Sequence, residues 1–196
     1  MLTTLPNLLT MSRVAAIPLL VGAFYLPAPW TYWVGLGLFA FAAITDFFDG
    51  YLARARNQTS DFGRLLDPIA DKLLVAAALF MLVASGRLAG AGIVAALIIL
   101  CREFIVAGLR EFLAGGAIVV PVSALAKWKT AFQMVAIGIL IAGPGAPDGL
   151  PATLIGEIGL WIAALLTVVT GADYLRRGLS YVLARDRAAA QANSEV

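Results

Sequence analysis

Long apolar runs are the dominant feature of this 196-residue chain. Runs of about 20 residues, the length an α-helix needs to cross a hydrocarbon layer ~30 Å thick, can be placed six times. Hydrophobic residues make up 61% of the chain and charged residues 13%, too little polar surface to cover such a core in water. We therefore predict an all-α integral membrane protein, a six-transmembrane-helix bundle. The predicted spans are 8–27, 31–53, 67–86, 89–113, 123–142 and 153–176.

The breaks between these runs are short and rich in Gly and Pro, which leaves no room for a separate soluble domain. We predict a single membrane domain over residues 1–185 and a flexible polar tail over 186–196. A short N-terminal segment is expected to lie along the membrane interface before the first span. Cys101 is the single cysteine, so an intrachain disulfide is impossible.

The positions of Lys and Arg predict the orientation. Of the 14 basic residues, only Arg87 follows an odd-numbered span, and the other 13 flank the opposite side. Cytoplasmic loops carry the excess of basic residues. We therefore expect a multi-pass protein of the inner (cytoplasmic) membrane, with both termini and the 2–3 connection on the cytoplasmic side. We expect membrane lipid around it and no nucleic-acid partner.

Four aspartates flank the 2–3 connection at helical spacing. Asp46 and Asp49 are three residues apart and Asp67 and Asp71 are four apart, so each pair shares one helix face. An unpaired carboxylate at the middle of a span costs roughly 2.5–3.5 kcal/mol, and converging carboxylates also repel one another. Oxygen ligands suit Mg²⁺ or Mn²⁺, and four carboxylates are enough for two such ions. An ordinary ion-pair network with nearby arginines is the structural alternative.

Two further residues beside these aspartates indicate a phosphate-bearing ligand. Gly50 directly follows Asp49, and its missing side chain would let a bulky ligand approach the backbone. Arg54 lies one helical turn further on, where a guanidinium can clamp phosphate oxygens. Carboxylates, a bare glycine and an arginine together favour a site for a pyrophosphate-bearing ligand.

This segment resembles the signature of the CDP-alcohol phosphatidyltransferase family, D-x2-D-G-x2-A-R-x8-G-x3-D-x3-D, with every spacing met. The matching positions are Asp46, Asp49, Gly50, Ala53, Arg54, Gly63, Asp67 and Asp71. The stretches "LPNLLTMSR", "REFIVAGLREFLA" and "KWKTAFQMVAI" look like those of the family's bacterial phosphatidylglycerophosphate synthase branch. The likeness covers most of residues 5–140.

The resemblance implies a metal-dependent phosphotransferase of phospholipid biosynthesis that commonly forms homodimers. Such enzymes transfer a phosphatidyl group from CDP-diacylglycerol to sn-glycerol 3-phosphate and release CMP. By resemblance, Asp46, Asp49, Asp67 and Asp71 would bind two divalent cations, Mg²⁺ or Mn²⁺. Asp71 would also be the general base.

The resemblance also implies a nucleotide site. Residues expected to bind CDP-diacylglycerol are Gly50, Ala53, Arg54 and Gly63, with Asn7 and Thr10 as minor candidates. Asn7 and Thr10 are included because the family places the N-terminal region near the nucleotide. Capping of the first helix is the alternative role for these two residues.

Basic residues on the later spans are candidates for binding the phosphate of the acceptor. Arg102 and Arg110 lie eight residues apart, hence nearly on one face of the fourth span, and Lys127 and Lys129 open the fifth. Interfacial anchoring is the alternative role. Glu103 and Glu111 could pair with these bases. At the end of the last span, Arg176 or Arg177 would close the pocket.

Two other functions compete with this interpretation. The same chemistry could use another acceptor, such as inositol phosphate, and only the basic residues of spans four and five bear on that choice. A cation channel or transporter could use the aspartates as an ion pathway, but it would leave Gly50 and Arg54 unexplained.

The chain contains no histidine, which excludes a histidine base and a phosphohistidine intermediate.

Overall fold

The structure is a computed structural model that describes the backbone of residues 5–56, 61–115 and 124–194. It does not describe the side chains of 5–6, 46–56, 61–62, 64–65, 124, 185–186 or 188–194. All regular secondary structure in the described ranges is helical, which confirms the predicted all-α class. The α-helices are α1 (Leu5–Ala23), α2 (Trp30–Arg56), α3 (Asp61–Ala84), α4 (Ala91–Gly115), α5 (Ala124–Ala142) and α6 (Ala152–Ser194), with a 3-10 turn at Gly143–Gly145 between α5 and α6.

The outer surface of the bundle has the character of a membrane protein. Large apolar side chains such as Phe80, Val135 and Leu165 are more than half exposed, as expected where the surroundings are hydrocarbon. Three segments are long and apolar enough to cross a bilayer: Ala91–Gly115, Leu125–Gly145 and Ala152–Ala184. Shorter apolar helical stretches cover Asn7–Ala23 and Trp30–Thr45. The chain is a membrane protein, and a crossing by all six helices stays a prediction.

Most helix ends lie within a few residues of the predicted span boundaries, but α3 begins earlier, at Asp61, and α6 ends much later. Helix α1 runs without interruption from Leu5, so the predicted N-terminal segment is its first turns. Helix α6 continues through Ser194, well beyond the predicted end of the last span at residue 176. Residues 188–190 are alanines, the residue with the strongest helix propensity. The interfacial position of the first turns and the flexibility of residues 186–196 stay predictions.

The helices form two groups of three. Helices α2 and α3 both pack on α1, α4 and α5 both pack on α6, and the α2–α5 contact is the largest between the groups. Small residues let α5 and α6 approach closely, since a Cβ at Gly159 would lie 3.1 Å from that of Ala136. Helices α4 and α6 run in parallel: Arg102 packs against Gly171, and seven residues later on both helices Leu109 packs against Gly178.

Arg87 ties the helix ends together on the side opposite the aspartates. It lies in the α3–α4 turn, between Gly86 and Gly90, whose φ angles are +70° and +52°. Its guanidinium donates to the carbonyl of Ile141 at 3.0 Å and to Thr31 Oγ1 at 2.7 Å. It also lies 4.7 Å from the ring centroids of both Phe24 and Tyr32. Burial lowers the pKa of Arg87, and its interaction with Tyr32 partly offsets that effect. The hydrogen bonds and ring contacts make Arg87 a structural tie between the helix ends.

Candidate active site

Helix α3 presents two of the predicted metal ligands on one face. Asp67 and Asp71 are half-buried and one turn apart, and Gly63, one turn earlier on the same face, is buried. The next residue, Lys72, turns back along its own helix, with Nζ donating to the carbonyl of Pro68 at 2.8 Å. The amine of Lys72 is thus bound by its own helix, while both carboxylates lie on the face of Gly63.

The first helix supports one of these carboxylates, that of Asp67, through a polar face. Asn7, Thr10 and Arg13 follow one another at intervals of three residues, and they are 2%, 1% and 0% exposed. Thr10 Oγ1 donates to Asp67 Oδ1 at 2.5 Å. The hydroxyl of Thr10 therefore reaches across to α3 and does not cap α1. Contact of Asn7 and Thr10 with a lipid headgroup stays a prediction.

The other half of the signature lies on the last turns of α2. Asp46, Asp49, Gly50 and Ala53 share one helix face by spacing, and Arg54 follows Gly50 by one turn. The side chains at these positions lie outside the described residues. Among the side chains that are described, no three His, Cys, Asp or Glu residues come together as a metal-ligand set. The predicted metal site therefore depends on adding the α2 aspartates to Asp67 and Asp71.

A polar cavity of about 670 Å³ lies beside Asp71, between α3, α4 and α5. Charged residues dominate its polar lining. The described basic residues of the lining are Lys72, Arg102, Arg110, Lys127 and Lys129, and the acidic ones are Asp71, Glu103 and Glu111. The structure thus places four of the predicted acceptor-binding residues in one cavity with the predicted base.

Two of these basic residues are bound to one carboxylate. Glu103 Oε1 accepts from Lys129 Nζ, and it lies 3.4 Å from Arg102 Nη1. Arg102 Nη2 also donates to Thr170 Oγ1 on α6 at 3.3 Å, and a Cβ at Gly171 would lie only 2.9 Å from Arg102 Cγ. The Lys129 side chain is 4% exposed, so it does not extend to water as an interfacial anchor would. These contacts join α4, α5 and α6 in one polar network.

The other two predicted phosphate ligands are oriented differently. Arg110 and Lys127 are exposed, and neither forms an ion pair within the described part of the chain. The Arg110 guanidinium lies 5.8 Å from the ring centroid of Tyr174, a cation–π contact with α6. Both residues line the cavity, and no carboxylate among the described side chains pairs with them, so their charge is available to an anion.

The structure places Arg176 and Arg177 away from the cavity. Arg176 is exposed on α6 and is not part of the lining. Arg177 Nε donates to Asp173 Oδ1 at 3.1 Å, one turn back on the outer face of α6. The reason is the register of α6, which turns Thr170 and Tyr174 toward α4 and so turns the next residues outward. Neither arginine lines the cavity, and closure of the pocket by Arg176 or Arg177 stays a prediction.

An apolar groove of about 370 Å³ adjoins the polar cavity. It runs between α2 and α5 and shares Ala43 and Met134 with the cavity lining. The side chains along it are hydrocarbon or thioether, from Leu36 and Phe39 near one end to Ile44 near the other. A polar, charged space and a hydrocarbon-compatible groove therefore meet at Ala43 and Met134.

A comparison with known protein families identifies the family to which this chain belongs. The family model described as CDP-alcohol phosphatidyltransferase matches residues 3–169. The chain belongs to this family. The matched range contains α1 to α5 and the first part of α6, and hence the signature aspartates and every charged residue of the cavity lining. As a CDP-alcohol phosphatidyltransferase, the protein is a membrane-bound transferase of phospholipid biosynthesis, in a family that generally depends on divalent cations.

Several relatives of this CDP-alcohol phosphatidyltransferase carry the name CDP-diacylglycerol–glycerol-3-phosphate 3-phosphatidyltransferase. The protein of that name from Rickettsia bellii is 49% identical over 177 residues, covering 90% of this chain and 96% of the relative. Those from Cereibacter sphaeroides and Bacillus subtilis are 41% and 39% identical, covering 91% and 88% of this chain and 97% and 94% of their own. The apo crystal structure of Mycobacterium tuberculosis phosphatidylinositol phosphate synthase is similar with a TM-score of 0.60, at 18% identity and 89% coverage of both chains. That likeness concerns the fold.

Sequence reasoning missed several residues of this site. Arg13 is fully buried on the Asn7–Thr10 face of α1, and its spacing of three residues from Thr10 was the available signal. Thr170 and Gly171 contact Arg102 from α6. No sequence signal pointed to them, because the parallel register of α4 and α6 is a tertiary property.

We predict that Thr10→Val lowers the free energy of unfolding by roughly 1.5–3 kcal/mol, because the half-buried carboxylate of Asp67 loses a hydrogen bond. The measurement is thermal unfolding in detergent micelles. Thr130→Val is the matched control, since the exposed Thr130 hydroxyl donates only to the Ala126 carbonyl of its own helix. The control should change stability by less than about 0.5 kcal/mol. Equal melting temperatures for the two variants would contradict a supporting role for Thr10.

Proposed function

We propose that this CDP-alcohol phosphatidyltransferase transfers the phosphatidyl group of CDP-diacylglycerol to sn-glycerol 3-phosphate, giving phosphatidylglycerol phosphate and CMP. Relatives named for that reaction are 39–49% identical to the chain. The structural observation that carries the proposal is the cavity that contains Asp71 together with Arg110 and Lys127. A general base and unpaired cations in one space are what a phosphorylated alcohol requires.

The lipid substrate fits the junction between the cavity and the apolar groove. CDP-diacylglycerol combines hydrocarbon chains with a charged nucleotide headgroup. A groove lined by apolar side chains suits a chain, and the adjoining cavity suits charged groups. We assign the nucleotide and pyrophosphate to Gly50, Ala53, Arg54 and Gly63, the signature positions nearest the aspartates in sequence.

The acceptor phosphate fits the unpaired cations of the cavity. A phosphate monoester is largely dianionic at neutral pH, and charge-assisted hydrogen bonds to Arg and Lys are the strong ones. Arg110 and Lys127 have no carboxylate partner within the described residues. We therefore assign the phosphate of the acceptor to these two residues, with Arg102 and Lys129 behind them.

The carboxylates fit two divalent cations, Mg²⁺ or Mn²⁺. All the candidate ligands are hard oxygen donors, and Asp67 and Asp71 occupy one face of α3, partly out of water. We propose Asp46, Asp49, Asp67 and Asp71 as the residues that hold these ions. When bound, the ions neutralise the pyrophosphate and make its phosphorus a better electrophile.

The side chains of the cavity define the remaining steps. With its phosphate bound by Arg110 and Lys127, the acceptor extends its primary hydroxyl toward Asp71. The hydroxyl oxygen forms a bond to the phosphorus that carries diacylglycerol, and its proton passes to the Asp71 carboxylate. The bond from that phosphorus to the oxygen of CMP breaks, and CMP departs with the bonding electrons. The chain has no histidine to form a phosphohistidine, which favours direct transfer.

The two alternative functions are not equally compatible with these findings. Family membership contradicts a cation channel or transporter, because the chain is a transferase. Transfer to inositol phosphate remains the alternative that an acceptor assay must exclude. The similar phosphatidylinositol phosphate synthase shares 18% identity with this chain, which speaks for the fold and does not favour its acceptor.

We also propose that the enzyme is a homodimer of the inner membrane with both termini and the cavity on the cytoplasmic side. The distribution of basic residues supports this orientation, since Arg87 alone lies on the other side and is a structural tie. Glycerol 3-phosphate, a polar metabolite, would then enter the cavity from the cytoplasm.

The acceptor assay tests the proposed function. Purified protein with CDP-diacylglycerol and Mg²⁺ should release CMP with glycerol 3-phosphate and much less with inositol phosphate, inositol or serine. Asp71→Asn should reduce CMP release by at least about 100-fold, since the hydroxyl proton loses its acceptor. Binding of CDP-diacylglycerol by that variant should persist. Preferred release with inositol phosphate, or full turnover by Asp71→Asn, would contradict the proposal.

Arg110→Ala should raise the KM for glycerol 3-phosphate by about tenfold or more, because a charge-assisted hydrogen bond to the acceptor phosphate is lost. The KM for CDP-diacylglycerol should change little. Arg187→Ala is the control, since Arg187 is an exposed cation near the end of α6 and lies outside the cavity lining. An unchanged acceptor KM in Arg110→Ala would assign Arg110 a structural role.

A further inference from the structure

Four of the basic residues of the cavity fall into two classes, while the fifth, Lys72, is bound to its own helix. Lys129 and Arg102 are bound to the single carboxylate of Glu103, whereas Arg110 and Lys127 have no ion-pair partner among the described residues. All four line the same cavity as Asp71. Of these four, a phosphate entering this space would therefore meet two cations that share one carboxylate and two that have no ion-pair partner among the described residues. The difference between the classes depends on Glu103.

Glu103 is placed to do more than hold helices together. Its side chain is 17% exposed and lines the cavity, so its charge acts within the ligand space. Lys129, its closest partner, is also within electrostatic reach of Asp71 on α3. On the side facing α6, Arg102 donates a hydrogen bond to Thr170 and packs against Gly171. The ammonium of Lys129 is thus bound by Glu103 and almost fully withdrawn from water.

We propose that Glu103 is a positioning residue that determines where the acceptor phosphate binds. By pairing with Lys129 and Arg102, it weakens their attraction for the phosphate, directs the phosphate to Arg110 and Lys127, and keeps the inner end of the cavity for the reacting hydroxyl beside Asp71. This inference rests on the proposed function. It assigns Lys129 and Arg102 to the wall of the cavity and leaves the direct phosphate contacts to the unpaired cations.

Without the charge of Glu103, the inner cations would compete for the phosphate. Glu103→Gln preserves the size of the side chain but removes the counter-charge of two partly buried cations. Such cations bind an anion strongly, because the low dielectric of their surroundings strengthens the attraction. A phosphate bound by Lys129 and Arg102 would place the acceptor too deep for its hydroxyl to reach Asp71. Binding should therefore become tighter while turnover becomes slower.

The test compares Glu103→Gln with the wild-type enzyme, with inorganic phosphate as the probe. The inhibition constant for phosphate should fall by about tenfold and kcat by about tenfold or more, the effect of one charge-assisted hydrogen bond. The KM for CDP-diacylglycerol should stay within about twofold of the wild-type value, because the nucleotide contacts are elsewhere. A residue that only joined helices would lower the melting temperature without tightening phosphate binding.

Glu111→Gln is the matched control. Glu111 lines the same cavity but forms no ion pair in the described part of the chain. If Glu111→Gln tightens phosphate inhibition as much as Glu103→Gln, the net charge of the cavity explains the effect and the positioning role is overturned. Wild-type kcat and phosphate inhibition in Glu103→Gln would overturn it as well.

A second variant of Glu103 and a direct measurement of phosphate binding complete the test. If Glu103→Gln does not fold, Glu103→Asp keeps the charge but withdraws it by one methylene. That variant should retain wild-type phosphate inhibition and lose about tenfold in kcat, a split that follows from misplacement alone; wild-type kcat would overturn the proposal. Calorimetric titration of phosphate into detergent-solubilised wild type and Glu103→Gln measures phosphate binding without turnover. It therefore tests the role of Glu103 separately from the proposed function. A wild-type enzyme that releases no CMP with glycerol 3-phosphate would refute the proposed function, whereas tighter phosphate binding by Glu103→Gln would still support the role of Glu103.

Discussion

The cost of keeping carboxylates in a hydrocarbon environment is the constraint on which the rest of this structure depends. Asp67 and Asp71 are half-buried at one end of an apolar bundle, and ionised groups out of water require compensation by hydrogen bonds or cations. The polar face of α1 supplies one such bond, from Thr10 to Asp67. The proposed divalent cations would supply the remainder. A chain without a cation-dependent function has little reason to retain such a cluster.

Compensation of charges withdrawn from water also determines the arrangement of the neighbouring cavity. Glu103 pairs with two cations that are mostly withdrawn from water, and Thr170 and Gly171 of α6 keep Arg102 in its place. The helix packing that permits these contacts relies on small residues, with Gly159 against Ala136 and Gly171 against Arg102. Burial of apolar area contributes little to helix association in a bilayer, so close packing and polar ties have a larger share. The residues that assemble the bundle therefore also arrange the site.

Much of this arrangement can be predicted from the sequence, but the contacts between helices cannot. The spacing of four between Asp67 and Asp71 placed them on one face, and the apolar runs located all six helices to within a few residues at most ends. The sequence also suggested that Glu103 or Glu111 pairs with basic residues. Only the structure distinguishes them, since the pairing depends on the distance between α4 and α5. The contact of Thr10 with Asp67, 57 residues away, could not be read from local pattern at all.

The central claim is that aspartates of α2 and α3 share bound divalent cations. Crystals grown with Mn²⁺ and a CDP-diacylglycerol analogue, measured at a wavelength where manganese scatters anomalously, test it most directly. We expect anomalous density between the two helices, within about 2.5 Å of oxygens from Asp46 or Asp49 and from Asp67 or Asp71. Well-ordered aspartates without anomalous density between them, or manganese bound only elsewhere, would contradict the account.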